Sequence, residues 1–97
     1  MSEERQRIDR WLWHARFART RTAAQTLAES GHVRINREKT YSASRRLREG
    51  DVLTIAFYQG VRVVRVCGFS ERRVGASATA GLYEEIPASL PPAPSGE

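Results

Sequence analysis

The chain has 97 residues, enough for one domain and no more. It carries 16 basic and 11 acidic residues, a formal charge of +5, and its single cysteine excludes an internal disulfide framework. No apolar run approaches the roughly 18 residues of a membrane-spanning helix, and the first seven residues are too polar for a signal peptide, so a soluble cytoplasmic protein is expected.

Ile8, Trp11, Leu12 and Ala15 recur at helical spacing, and Asp9 suits the positive end of a helix dipole, which predicts a first helix over 8–15. Thr20 or Thr22 can cap a second helix over 21–30; Thr22-Ala23-Ala24-Gln25 fits a capping box, Ala23, Ala24, Leu27 and Ala28 form the apolar face, and Gly31 stops it. The alternation of His32 to Asn36 predicts a strand with Val33 and Ile35 inward. A turn at Asn36-Arg37-Glu38 leads to a short return strand over 39–41. Val52 to Phe57 alternates as a strand, Gln59-Gly60 reads as a hairpin turn, and Val61 to Gly68 is the next strand. Ser77 to Glu85 is weakly helical, with Gly81 against it. All four prolines lie from Pro87 onward, so 87–97 reads as a disordered tail. The remaining unit of about 80 residues buries only about 60–65% of its unfolded surface, which leaves little room for a deep catalytic cleft.

No catalytic constellation is present. His14 and His32 are the only histidines, Cys67 stands alone, and no phosphate-cradling glycine motif occurs, so neither an enzyme nor a metal or other cofactor is expected.

Charge is distributed unevenly. Residues 1–50 hold twelve basic and six acidic residues; residues 51–97 hold four and five. All the excess positive charge therefore sits in one half, an electrostatic footprint for a polyanion. Arg5 to Arg21 contains six arginines against Asp9 alone, with Trp11, Trp13 and Phe17 interleaved. Solvated helices usually mix both signs, so this excess favours phosphate contact. Trp11 and Phe17 read as core; Trp13 falls off the apolar stripe, but packing is preferred for it over base stacking. A second basic group comprises Arg34, Arg37, Lys39, Arg45, Arg46 and Arg48, interspersed with amides and hydroxyls. Fifteen of the sixteen cations are arginine, whose planar fork fits phosphate and stacks on bases.

The ordered set Arg7-Ile8-Asp9-Arg10-Trp11-Leu12, Phe17-Ala18-Arg19-Thr20-Arg21, Ala24, Leu27, Gly31-His32-Val33-Arg34-Ile35-Asn36 and Gly50-Asp51-Val52-Leu53 resembles the S-four RNA-binding domain. The run Arg10 to Phe17, with Glu71-Arg72-Arg73 and Leu82-Tyr83-Glu84-Glu85, is similar to the bacterial fifteen-kilodalton heat-shock protein family. The resemblance implies an α+β fold: two N-terminal helices on a small antiparallel sheet over 7–70, an extension with a short helix over 71–86, and then the tail. It implies RNA contacts at Arg7, Arg10, Arg19, Thr20, Arg21, Gln25, His32, Arg34 and Asn36. The charge pattern adds Arg16 and Lys39, with Arg45, Arg46 and Arg48 as auxiliary. The implied partners are ribosomal RNA in free or stalled large subunits carrying nascent chain–tRNA, tRNA itself, and more weakly DNA, with no membrane partner and a monomeric state. Such a protein would serve ribosome recycling under heat stress. Two alternatives remain: a regulator binding double-stranded DNA through a basic helix, and the RNA-binding appendage of an RNA-modifying enzyme. Relatives often carry a long basic C-terminal helix, from which this Pro-rich, acidic-ended tail departs.

Overall fold

A computed structural model describes residues 5–87. The elements run β1 (Arg5–Arg7), α1 (Ile8–His14), α2 (Arg21–Glu29), β2 (Val33–Ile35), β3 (Glu38–Thr40), β4 (Arg46–Arg48), β5 (Val52–Phe57), β6 (Gly60–Val66), a 3-10 helix (Ala76–Gly81) and β7 (Tyr83–Ile86). The five-stranded sheet has order β3-β2-β5-β6-β7, antiparallel throughout; β1 and β4 form a separate two-stranded ribbon.

Both helices cover one face of the larger sheet. Ile8, Trp11, Leu12 and Ala15 from α1 and its end, with Ala24 and Ala28 from α2, close over Val33, Ile35, Leu53, Ile55, Val64 and Val66. Complete burial of so many aliphatic groups is the main driving force for a unit this small.

Helix α1 begins without a side-chain cap. Its orphan donors are met from the chain that leads into β4: Ile8 N–H donates to Arg45 O at 2.7 Å and Asp9 N–H to Ala43 O at 3.3 Å. Its far end is a Schellman motif. Phe17 N–H reaches Leu12 O at 2.8 Å, Arg16 N–H reaches Trp13 O at 3.1 Å, and Arg16 takes the left-handed position at φ 70° where glycine is usual. The accompanying apolar contact is the stacked pair Trp11–Phe17, with centroids 5.6 Å apart. In α2, Thr20 is the cap, its Oγ1 accepting from Ala23 N–H at 3.0 Å, and Gly31 follows at φ 85°. Gln25 does not close a capping box; its amide donates to Glu29 at 3.3 Å.

The extension differs from the sequence expectation over 77–85. The short helix is a 3-10 turn of six residues, and Tyr83–Ile86 is a strand. Cross-strand pairing decides this: β7 ladders with β6, Arg65 lies opposite Glu84, and Arg62 reaches Glu85 diagonally through two hydrogen bonds, contacts no local pattern reveals. The expected tail from Ala88 onward lies outside the described residues. Between β6 and the 3-10 helix, the chain straps across α1. Trp11 Nε1 donates to Gly68 O at 3.0 Å, Gln6 Nε2 to Ser70 O at 2.8 Å, and Val74 N–H to His14 O at 3.2 Å.

Candidate nucleic-acid interface

The helix seam carries the first group of cations. Arg10 is exposed on α1, and Arg19, Thr20, Arg21 and Gln25 are exposed at the entry to and along α2. Arg10, Arg19 and Arg21 have no carboxylate partner among the described residues. Arg10 and Arg21 both act electrostatically on the buried His14. That imidazole donates from Nδ1 to Ser70 O at 2.9 Å, since a carbonyl can only accept. Burial chiefly, and the two guanidinium groups in addition, hold its pKa below the ordinary value. Exposed guanidinium groups without carboxylate partners make this seam a candidate for taking an anion. Arg16 stands beside it, one Nη reaching Val74 O at 3.3 Å.

A second group lies on the other face of the sheet. Arg34 faces Lys39 on β3 and Thr54 on β5. With Gly31, His32, Arg37, Ala56 and Val61 they line a groove of about 440 Å³. Four of its lining side chains are His32, Arg34, Arg37 and Lys39, all exposed. Asn36 and Arg37 form the two-residue β2–β3 turn with φ of 51° and 78°, both left-handed. Asn36 is engaged in the fold: its amide donates to Asp51 at 3.0 Å and its oxygen accepts from Val52 N–H at 2.9 Å.

The third group forms the ribbon. Arg5 lies opposite Arg48 and Arg7 opposite Arg46, so four arginines share one face while Leu47 is buried on the other. Arg7 thus belongs with the auxiliary cluster. Its guanidinium is held by Asp9, Nε at 3.1 Å and Nη2 at 3.0 Å, and the Asp9 side chain is only 3% exposed. Arg45 is exposed just before the ribbon, where its carbonyl caps α1.

Two residues join the site from outside the expected contact set. Arg37, read from sequence only as part of the second basic group, lines the groove; its signal was an Asn-x pair at a hairpin tip. Arg73 donates to the carbonyls of Trp13 and Ala18 and so anchors the loop that carries Arg16 and Arg19. Nothing local marks that interaction across 55 residues and more. Among the described residues no group of His, Cys, Asp or Glu could hold a metal ion, and no helix is long and apolar enough to cross a membrane.

Residues 6–53 match the S4 domain family model. The chain is 32% identical over 90 residues to the heat shock protein 15 homolog of Haemophilus influenzae, which spans 93% of this chain and 68% of that protein. The chain belongs to the heat shock protein 15 family. The trimeric structure of Vibrio cholerae heat shock protein 15 superposes with a TM-score of 0.81 at 31% identity, covering 90% of this chain and 87% of that one. The small ribosomal subunit protein uS4 of Novosphingobium aromaticivorans is 40% identical over 50 residues, 52% of this chain and 25% of that protein. The chain spans 62–68% of the length of the curated heat shock protein 15 relatives it matches. By family it is an RNA-binding heat shock protein built on the two-helix, antiparallel-sheet S4 fold.

Proposed function

We propose that this heat shock protein 15 family member binds large-subunit ribosomal RNA, in free or stalled large subunits that carry a nascent chain attached to tRNA. It contacts the RNA through Arg10, Arg16, Arg19, Thr20, Arg21 and Gln25 at the helix seam. His32, Arg34 and Lys39, on the other face of the sheet, form a second RNA contact, and tRNA is a second ligand. Recycling of such subunits in heat-stressed cytoplasm is its role. The observation that carries this reading is that Arg10, Arg19 and Arg21 are all exposed at the helix seam with no carboxylate partner among the described residues. Exposed guanidinium groups without carboxylate partners are available to a phosphate backbone. Thr20 accepts from Ala23 yet keeps its hydroxyl proton for a phosphate oxygen. The likeness to a ribosomal protein over half the chain supports a ribosomal RNA ligand. The chain acts as a monomer, and binds duplex DNA more weakly because no third helix among the described residues completes a groove-reading motif.

Co-sedimentation with purified ribosomal subunits across a salt series tests this. The double variant Arg19→Ala/Arg21→Ala should bind large subunits more weakly. Its salt slope should fall by about two, since each phosphate left without its arginine removes about one. Unchanged affinity and slope would remove these residues from the site. Sedimentation with small subunits only would overturn the choice of partner.

A further inference from the structure

At the end of the sheet where β5 turns into β6, a second pocket of about 310 Å³ is lined by Arg16, Phe17, Phe57, Gln59, Gly60, Val61 and Arg62. Its size falls at the low end of small-ligand sites, roughly 300–1,000 Å³. Phe17 and Phe57 are each half-buried, with near-parallel rings at 17° and centroids 6.4 Å apart. Arg62 forms one wall, its guanidinium carbon 4.9 Å over the Phe17 ring, and Glu85 neutralises it through two hydrogen bonds. Gln59 at the rim is exposed and has no side-chain partner among the described residues.

Val61 also lines the basic groove of Arg34, Arg37 and Lys39, so pocket and groove are continuous around one exposed side chain. On the opposite rim Arg16 leads into the loop bearing Arg19. An aromatic recess is therefore bordered by cations on two sides, and Glu85, the carboxylate of its Arg62 wall, is already paired. An apolar side chain of a protein would fill such a recess without using the surrounding charge. A nucleobase on a phosphate backbone uses both, because rings stack on any base while arginines track its phosphates.

We propose that this pocket receives one unpaired nucleobase, stacked against Phe57, bordered by Phe17 and hydrogen-bonded at its edge by the Gln59 amide. Its flanking phosphates lie on Arg16 and in the Arg34–Lys39 groove. The inference rests on the RNA-binding reading and adds to it a preference for RNA with an unpaired base over uniform duplex.

Two RNAs of equal length test it: a stem closed by a seven-nucleotide loop carrying 2-aminopurine, and a fully paired duplex. The wild-type chain should prefer the loop RNA and change the 2-aminopurine fluorescence. Phe57→Leu keeps apolar filling but removes the ring, and should lower loop affinity about five-fold or more, the lower end of what base–aromatic stacking contributes. Duplex affinity should stay put. Gln59→Ala, at an exposed turn where folding is not at stake, should lose part of the same preference. Equal wild-type affinity for both RNAs, or Phe57→Leu weakening both alike, overturns the proposal and leaves the pocket to an apolar protein side chain. Salt-sensitive binding to neither RNA would instead bring down the RNA-binding reading itself, and this subsite with it.

Discussion

Arg73 donates from Nε to the Trp13 carbonyl at 3.1 Å and from Nη2 to Ala18 O at 3.2 Å. One guanidinium thus ties the last turn of α1 to the middle of the loop between α1 and α2, the loop from which Arg16 and Arg19 project. Lysine cannot span two carbonyls with a planar fork. Arg73→Ala and Arg73→Lys should each cost about 1–3 kcal/mol of stability, since both remove hydrogen bonds from a charged donor. The RNA consequence separates positioning from direct binding. Affinity for large subunits should fall while the salt slope is retained, because every phosphate keeps its own arginine. Thermal melts paired with salt-series binding check both.

Arg37 offers the converse test. A non-glycine residue at φ 78° carries strain, of order 1–2 kcal/mol for a left-handed backbone. Arg37→Gly should relieve it and raise stability by up to about 1 kcal/mol. The same variant should bind large subunits more weakly, with its salt slope lower by about one. A more stable protein that binds less well cannot be explained by unfolding. Chemical denaturation and co-sedimentation on one preparation decide it; unchanged affinity would show that the strain serves no RNA contact.

Arg7 and Arg10 are three residues apart yet should behave oppositely. Arg7→Ala leaves the buried Asp9 carboxylate with the Arg10 N–H at 2.7 Å as its remaining partner, and should cost about 1–3 kcal/mol of stability. Its effect on RNA affinity should stay within about two-fold. Arg10→Ala should spare stability and reduce both affinity and salt slope. If Arg7→Ala reduces the slope as well, the ribbon face is part of the interface.

What could be read in the sequence was whatever local pattern encodes. The apolar spacing of Ile8, Trp11, Leu12 and Ala15 places α1, and the alternation of Val52 to Phe57 places β5 to the residue. The charge asymmetry directs attention to the helix seam. Interactions across long separations were not legible. Arg5–Arg7 and Arg46–Arg48 are three-residue strands without periodicity, and only their mutual pairing defines them. Tyr83–Ile86 has the local pattern of a helix end, and only its antiparallel ladder with β6 makes it a strand. Asn36 has the chemistry of an RNA contact, but the fold uses its amide to bind Asp51 and Val52. Arg37 reads as an ordinary turn residue because φ is invisible in a one-letter code.

His14 should make stability depend on pH in a defined window. Its native pKa lies below the usual value of about 6.5, through burial first and then Arg10 and Arg21, against the opposing pull of the Ser70 carbonyl. Between the native and unfolded values, the unfolded chain binds a proton that the native chain does not, so stability rises with pH. Above about 6.5 neither form is protonated and the contribution is flat. The melting temperature should therefore fall as pH drops from 6.5 toward 5. His14→Asn keeps a side-chain N–H for Ser70 O but cannot titrate, and should lose this slope. Glu85, held below its ordinary pKa by Arg62, adds a loss only at lower pH, as the solution approaches the carboxylate range. Melting curves of both chains at half-unit pH steps distinguish the two groups. A slope that persists between pH 6.5 and 5 in His14→Asn would place its origin elsewhere.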